Sequence, residues 1–408
     1  MSFERFIAGR FMPRREGEGG FSGPLSAIAV ASIALGVLVM VMAVSILRGF
    51  QSEITNKVSG FGSHLTVSNF VFNAAYQETP VIVNPALEEQ MRAVPGVRHL
   101  QCYAHKGGMV KTEEQIYGIV LRGVSSNYDT SFFAQCLVEG TLPRLLEETS
   151  NEVLVSKTIA TKLDLHVGDK MRTYFWHDDN YRARAFSVCG IYNTDLTEMD
   201  ELYVIGDLRQ VQRLNGWDST MVGGYEILVD NMDFLDATAA GVLAVLPYDL
   251  NVQTIKQANP ALFSWLDLLN SNIVLILTIM SVVCAIAIIS ALLIMIFEKS
   301  STIGLLKALG ANNASVRRIF LIKASGLILK GVAIGDAVAL LLCWVQWQWQ
   351  VVKLDAESYS MGHVPVDMNP WIFLLVSVGA LAVCMLALLL PAAYISHIHP
   401  AQTLKVKG

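Results

Sequence analysis

The sequence predicts an α-helical membrane protein with four transmembrane helices and a large α+β domain held outside the membrane between helices 1 and 2. Three observations carry this. The 408 residues are 53% hydrophobic and only 16% charged, with a mean hydropathy of +0.45. Four runs, Leu25–Leu47, Asn272–Phe297, Val316–Val345 and Trp371–Ile395, exceed the roughly 18 residues that mark a spanning candidate. The stretch from Phe50 to Asn270 instead alternates short strand-like and helix-like segments. At a rise of about 1.5 Å per residue, each run can cross a hydrocarbon core of about 30 Å. Only the third run carries internal charges, at Arg317, Arg318, Lys323, Lys330 and Asp336, so it starts at the interface.

Residues 1–23 form the approach to the membrane. Phe3, Phe6, Ile7 and Phe11 fall on one helical face, with Arg5 and Arg10 placed to snorkel, the pattern of an interfacial helix. The Gly-rich, charged stretch 14–23 connects it to the first span at 24–49. That span is too long for the core of a signal peptide, about 7–15 residues, and lacks a small-residue cleavage site. Arg5, Arg10, Arg14 and Arg15 keep the N-terminus inside. The spans then run outward at 24–49, inward at 271–297, outward at 315–345 and inward at 370–396. A cytoplasmic segment at 298–314 and a tail at 397–408, with Lys405 and Lys407, follow from that order. The outer loop at 346–369 sets Lys353 against Asp355, Glu357 and Asp367, which agrees. The expected location is the inner membrane, with both termini cytoplasmic and residues 50–270 in the periplasm.

That exported region is large enough for two compact subdomains. Strands are expected at HLTVSNF, at Val97–Val110 paired with Gln115–Val124, at VGDKMRTYFW and ARAFSVCGIY around a polar turn, and at ELYVI, Tyr225–Asp230 and Asn251–Ile255. Helices are expected at Pro85–Ala93, closed by Pro95-Gly96, and at Ser156–Leu163, Leu208–Leu214 and Phe234–Leu246. The region carries 16 basic against 27 acidic residues, while the remainder carries 14 against 8. A basic cytoplasmic rim suits anionic headgroups, and nothing resembles a nucleic-acid footprint.

Chemistry is scarce. No G-x-x-x-x-G-K-[ST] loop occurs, so the chain itself is not expected to be an enzyme that hydrolyses ATP. H-E-x-x-H, C-x-x-C and G-x-S-x-G are absent as well. Trp176, His177, Asp178 and Asp179 read as a solvated hairpin turn before a metal site, and no metal is expected. His397 and His399 read as interfacial polar residues. Cys284, Cys343 and Cys384 lie in spans as small apolar fillers. Cys102, Cys136 and Cys189 allow one internal disulfide in three possible pairings, or none.

The stretch FEKSSTIGLLKALGANNASVRRIF from Phe297 is the most informative part of the chain. A span ends, charges appear at Glu298, Lys299, Lys307, Arg317 and Arg318, and a short amphipathic helix precedes the next span. A short helix between two spans on the positive side is a natural contact for a cytoplasmic motor. In the third span Gly326, Gly331 and Gly335, including a G-x-x-x-G, permit close helix packing. Asp336 near mid-depth must face protein or water, and a contact between subunits is favoured over a proton relay because no other span supplies a partner.

These segments, in this order, resemble the FtsX-like permeases of ABC systems, and most closely those of lipoprotein-releasing complexes. LSAIAVASIALGVLVMVMAVSILRGFQSEI is similar to the family's first span and its exit, and EKSSTIGLLKALGA to its pattern E-x-x-x-E/T-I-G-x-L-K-A-x-G. Val364-Pro365-Val366, Pro391-Ala392 and Pro400-Ala401 with Leu404-Lys405 resemble its ending. SKTIATKLDLHVGDKM and PGV resemble a macrolide-exporter type periplasmic core.

The resemblance implies a permease subunit working by mechanotransmission, extracting lipoproteins from the outer leaflet for transfer to a periplasmic carrier. Glu298, Lys299, Ile303, Gly304, Leu305, Leu306, Lys307, Leu309 and Gly310 would then couple to a separate ABC ATPase, which binds ATP and Mg. A second permease chain would complete the unit. Met40, Val44, Leu47 and Phe50, near i, i+4, i+7 spacing, would line a substrate cavity. One departure stands out. The turn at about Trp176–Arg184 is short for the loop that clamps the carrier, so this chain is either the partner type of subunit or docks the carrier elsewhere. Two other readings stay open: an exporter-type permease for peptides or drugs with a periplasmic adaptor, and a signalling permease that activates a cell-wall hydrolase.

Overall fold

The computed structural model describes residues 22–70, 78–112, 115–145, 148–177, 180–355, 359 and 361–394. The expected interfacial helix at Ser2–Met12, Asp178 and Asp179, His397, His399 and the tail lysines lie outside the described residues. The chain divides into a helical unit (residues up to 51, 265–352 and from 364) and an α+β unit (52–264 and 353–363).

The helical unit draws on α1 (Ser22–Gly62), α9 (Pro260–Glu298), α10 (Ser300–Ala308), α11 (Asn313–Trp349), α12 (Pro370–Ala387) and α13 (Leu389–Tyr394). Among the described residues four helices, α1, α9, α11 and α12, are long and apolar enough to cross a membrane by length and composition. Ile33 and Val37 of α1, Ile288 and Leu292 of α9, Ile328 of α11 and Val376 of α12 belong to one buried cluster. Two helices outrun the apolar runs that announce them. Beyond Leu47, α1 continues to Gly62, so the expected boundary at residue 50 falls inside a helix. The added part is amphipathic, with Ile54, Val58 and Phe61 buried at i, i+4 and i+7. Likewise α9 begins at Pro260, a residue suited to a first helical position, ahead of the expected start at 271.

The α+β unit is one body with a ten-stranded sheet, not two subdomains. Six strands close a ring. These are β3 (Val97–Lys111), β4 (Ile116–Val124), β6 (Glu152–Ser156), β7 (Lys170–His177), β8 (Asn180–Tyr192) and β9 (Tyr203–Asp207). They pair in the order β3, β4, β9, β6, β8, β7 and back to β3. On β3, β11 (Gly224–Val229) extends the sheet through β1 (Leu65–Asn69) to β12 (Leu250–Thr254), while β5 (Leu137–Gly140) adds to β8. A separate pair joins β2 (Val81–Ile82) to β10 (Met221–Val222). Helices α2 (Pro85–Arg92), α4 (Lys157–Leu163) and α6 (Leu208–Asn215) start on Asn84, Ser156 and Asp207, whose side chains accept from the first-turn amides. The remaining helices are α3 (Ser131–Gln135), α5 (Thr197–Asp200), α7 (Leu235–Val245) and α8 (Ile255–Ala258).

Arg122 of β4 clasps the last turn of α1 within this unit. Its guanidinium donates to the Phe61 carbonyl, to Glu226 of β11 and, at 3.2 Å, to the Tyr128 hydroxyl. The Gln101 amide donates to the second Glu226 oxygen at 2.9 Å, and Phe61 itself lies under the guanidinium at 5.0 Å. A cation at a helix C-terminus satisfies an orphan carbonyl and opposes the macrodipole. Both partners of the pair have side chains only 3% exposed. Removing one side of a buried pair strands the other, at about 3–5 kcal/mol. Arg122→Ala should therefore lower the denaturant midpoint of the detergent-solubilised chain sharply. A double Arg122→Met, Glu226→Leu replacement should recover much of the loss.

Asp200 is a second buried anchor. It accepts from Thr194 N at 3.0 Å and from Thr194 Oγ1 at 2.7 Å, and its carbonyl receives the Ser156 hydroxyl. Burial outweighs those hydrogen bonds and pushes its pKa up to about 6. A raised folded-state pKa gives stability that is complete below the ordinary carboxylate range and lost as pH rises through 6. The contribution is on the order of 3 kcal/mol. Melting of the solubilised chain between pH 4 and 7 should show this loss, and Asp200→Asn should flatten it.

Candidate functional site

Helix α10 is set between α9 and α11 by two short joints. After α9 ends at Glu298, Lys299 takes φ −98° and ψ 16° and the chain re-enters helix at Ser300. Glu298 and Lys299 approach to 3.9 Å. At the other end Leu309 N donates to Leu305 O at 3.0 Å and Ala311 N to Leu306 O at 2.9 Å. Gly310, at φ +93°, makes the turn a side chain would strain, and Asn312 N-caps α11 with extended backbone.

The nine residues of α10 divide by face. Ile303 is fully buried in the same cluster as Ile296, Val316 and Phe320, and Gly304 is buried beside it. Leu306 and Lys307 are half-buried, and burial pulls the Lys307 ammonium below its ordinary pKa. Leu305 and Leu309 are 53% and 77% exposed. Four apart in sequence, they form an apolar edge beside Ala308, with Glu298, Arg317 and Arg318 also exposed. This arrangement can bind a groove.

The expected cavity residues do not share one free face. Met40 is 2% exposed and its sulfur lies 3.8 Å from the Ser281 hydroxyl of α9, inside the unit. Val44, Leu47 and Phe50 are half-buried, and Phe50 meets Trp265 edge to face at 6.1 Å. A broader apolar surface lies on α9, where Leu275, Ile279, Val282, Val283 and Ile286 are all exposed. Hydropathy alone could not find it, because every face of that helix is apolar; only the packing separates inward from outward residues.

The glycines of α11 divide too. A Cβ on Gly335 would lie 2.6 Å from the Ala34 carbonyl of α1, and one on Gly331 2.8 Å from the Ile33 side chain. Gly326 meets nothing within 4 Å. Asp336, for which a contact between subunits is expected, meets Ser377 within its own chain: Ser377 Oγ of α12 lies 2.6 Å from Asp336 Oδ1 and 2.7 Å from the Phe373 carbonyl. A serine 41 residues further along the chain offered no sequence signal for that pairing.

The three cysteines of the α+β unit are free thiols. Burial pushes Cys102 and Cys189 up to about 12 and Cys136 up to about 11. Strands β7 and β8 pair as far as His177 with Asn180, so their connection is the two residues 178–179. Trp176 and Tyr181 pack edge to face at 4.9 Å beside it. Among the described residues no three His, Cys, Asp or Glu side chains gather to hold a metal ion.

Residues 26–244 match the MacB-like periplasmic core domain family, and residues 274–400 match the FtsX-like permease C-terminal family. The chain is 24% identical to the lipoprotein-releasing system transmembrane protein LolC of Xylella fastidiosa strain Temecula1, over 96% of both chains. It is 22% identical to LolC of Neisseria meningitidis serogroup B, over 99% of both. It is also 22% identical to LolE of Haemophilus influenzae, over 97% of this chain and 98% of that one.

The glycine geometry gives a graded expectation. Gly335→Ala must push α1 from α11 at backbone, costing about 1–3 kcal/mol. Gly331→Ala meets Ile33 Cγ2 and Cβ at 2.8 and 2.9 Å, with the nearest backbone atom, the Val30 carbonyl, at 3.2 Å, and Gly326→Ala meets open space. Thermal stability in detergent should fall in the order Gly326→Ala, Gly331→Ala, Gly335→Ala, with the first unchanged.

Proposed function

This chain belongs to the family that carries a MacB-like periplasmic core domain and to the FtsX-like ABC permeases, and from that membership we propose that it releases lipoproteins from the outer leaflet of the inner membrane. The observation that carries the reading is α10, a short helix pinned by Ile303 that offers Leu305 and Leu309 outward among charged residues. Its near-full-length similarity to proteins named for lipoprotein release supports the substrate class.

In this reading both termini and α10 are cytoplasmic, α1, α9, α11 and α12 cross the membrane, and the α+β unit is periplasmic. The Leu305–Leu309 edge seats in a groove of a separate ABC ATPase subunit, and Glu298, Lys299, Lys307 and Gly310 complete that contact. ATP and Mg act on that subunit. A second permease chain, identical or related, closes the unit. The exposed face of α9, with Leu47 and Phe50 of α1, receives acyl chains. Each buried methylene gains about 0.8 kcal/mol, so affinity needs no polar group and release must be driven from α10. A periplasmic carrier takes the product.

Photo-crosslinkers placed at Leu47, Ile279 or Val283 in the membrane complex should capture a lipoprotein without nucleotide and lose it on ATP addition. A probe at buried Met40 should capture none. Leu309→Glu, on an exposed position, should leave the chain folded but release it from the ATPase and abolish the ATP response. Capture of phospholipid alone, or equal capture in both states, would remove lipoprotein release and favour the exporter or signalling reading.

A further inference from the structure

The end of α11 carries Trp344, Trp347 and Trp349, interleaved with Gln346, Gln348 and Gln350, and α12 opens on Trp371. These four indoles are 47%, 62%, 62% and 73% exposed, with Val351 64% exposed among them. Trp344 and Trp349 touch edge to face at 5.4 Å. One buried side chain ties the chain leaving α11 to the chain approaching α12. Gln346 donates to Val352 O at 3.1 Å and Val364 O at 3.0 Å, and accepts from Val352 N at 2.9 Å. Both the strand leaving α11 and the strand returning toward α12 are thereby tied to one turn. Asn369 then caps α12 by accepting from Trp371 N at 3.1 Å.

Spacing says what covers this aromatic end. Arg317 and Arg318 are exposed at the opposite end of α11. From Arg318 to Trp344 is 26 residues of the continuous helix, about 39 Å at 1.5 Å per residue. That exceeds the hydrocarbon core of about 30 Å and falls just within the roughly 40–45 Å of a bilayer with its headgroup layers included, so the two ends reach opposite interfaces. Between them α11 exposes Leu329, Ile334, Val338 and Leu341. Lys330, also exposed, has a stem long enough to carry its charge toward the basic end. Indoles with apolar rings and one N–H donor suit a layer where acyl carbon meets ester carbonyl.

Resting on the reading that these helices cross a membrane, we propose that Trp344, Trp347, Trp349 and Trp371 form a collar seated in the glycerol-ester layer of outer-leaflet phospholipid. The rings lie against the first acyl carbons and the indole N–H groups donate to ester carbonyls. The collar fixes the depth of α11 and α12, and through Gln346 it holds the connection between them at the interface.

The test uses the full chain in phosphatidylcholine vesicles, with bromine on the acyl chains either near the headgroup or near the terminal methyl. Trp176→Phe, Trp217→Phe and Trp265→Phe leave only the collar to fluoresce. The shallow bromine should quench it at least about twofold more than the deep one. A separate variant with every tryptophan replaced by Phe and Val283→Trp added, or Ile279→Trp if that fails to assemble, reports the middle of α9. That probe should show the reverse preference. Deep-preferring or absent quenching of the collar, with the α9 probe quenched, overturns the collar alone and indicates cover by protein such as a second copy. If the α9 probe is also unquenched, membrane insertion fails and the collar falls with it.

Discussion

The buried Arg122 guanidinium organises the α+β unit. Arg122 sits where the last carbonyls of α1 would otherwise end unpaired against β4 and β11. A guanidinium carries five donors in a fixed fork, so it can serve a backbone carbonyl, a carboxylate and a phenol together. The carboxylate is in turn held by Gln101, whose own oxygen takes the Asp129 amide at 2.9 Å. Desolvating such a pair is expensive, and these bonds offset that cost although the buried Arg122 Nε is left without a partner. What it secures is position. Phe61 is fixed against Phe133 and Tyr203 at 5.7 and 5.2 Å, so the end of α1 has one seat on the closed ring of strands.

The helical unit achieves definition chiefly by close apolar packing. Gly331 and Gly335 bring α11 onto Ile33, Ala34 and Val37 of α1 closely enough that a methyl would collide. In a lipid environment burial against another helix gains little over burial against lipid, so such close backbone approach supplies the specificity. The Asp336–Ser377 contact adds one polar tie between α11 and α12. Ile303, Gly304 and the two joints hold the inner edge of α10 with the cluster, while Leu305 and Leu309 on its outer edge stay exposed.

Much of this was legible in the residues. The four apolar helices, the strands at β1, β3, β4, β7, β8, β9, β11 and β12, and the helices α2, α4, α6 and α7 follow from periodicity and capping residues. Two kinds of feature were not. Strand β6, EVLVS, is buried on both faces, so it shows no alternation to separate it from its surroundings. The lengths of α1 and α9 were hidden because hydropathy marks where a helix is uniformly apolar, whereas Ile54, Val58 and Phe61 announce an amphipathic continuation. At the candidate site, the charges at Glu298, Lys299 and Lys307 marked a short helix between two spans, and the resemblance supplied the other residues of its expected coupling surface. The inward turn of Met40 did not, since a thioether fits core and lipid equally well.

An apolar surface such as that of α9 binds long acyl chains without selectivity for their state, and its affinity grows with every methylene. Nothing in it weakens by itself. A protein that both binds and lets go must therefore import free energy, and it must do so through a feature that another subunit can push. In this chain the exposed Leu305–Leu309 edge meets that requirement: it is apolar, it is rimmed by charge, and Ile303 ties its helix to the buried residues of α9 and α11. Two helices joined to one lever by single turns can be displaced without unfolding either of them. On this argument the α10 edge, rather than any pocket, is the feature on which the proposed activity turns.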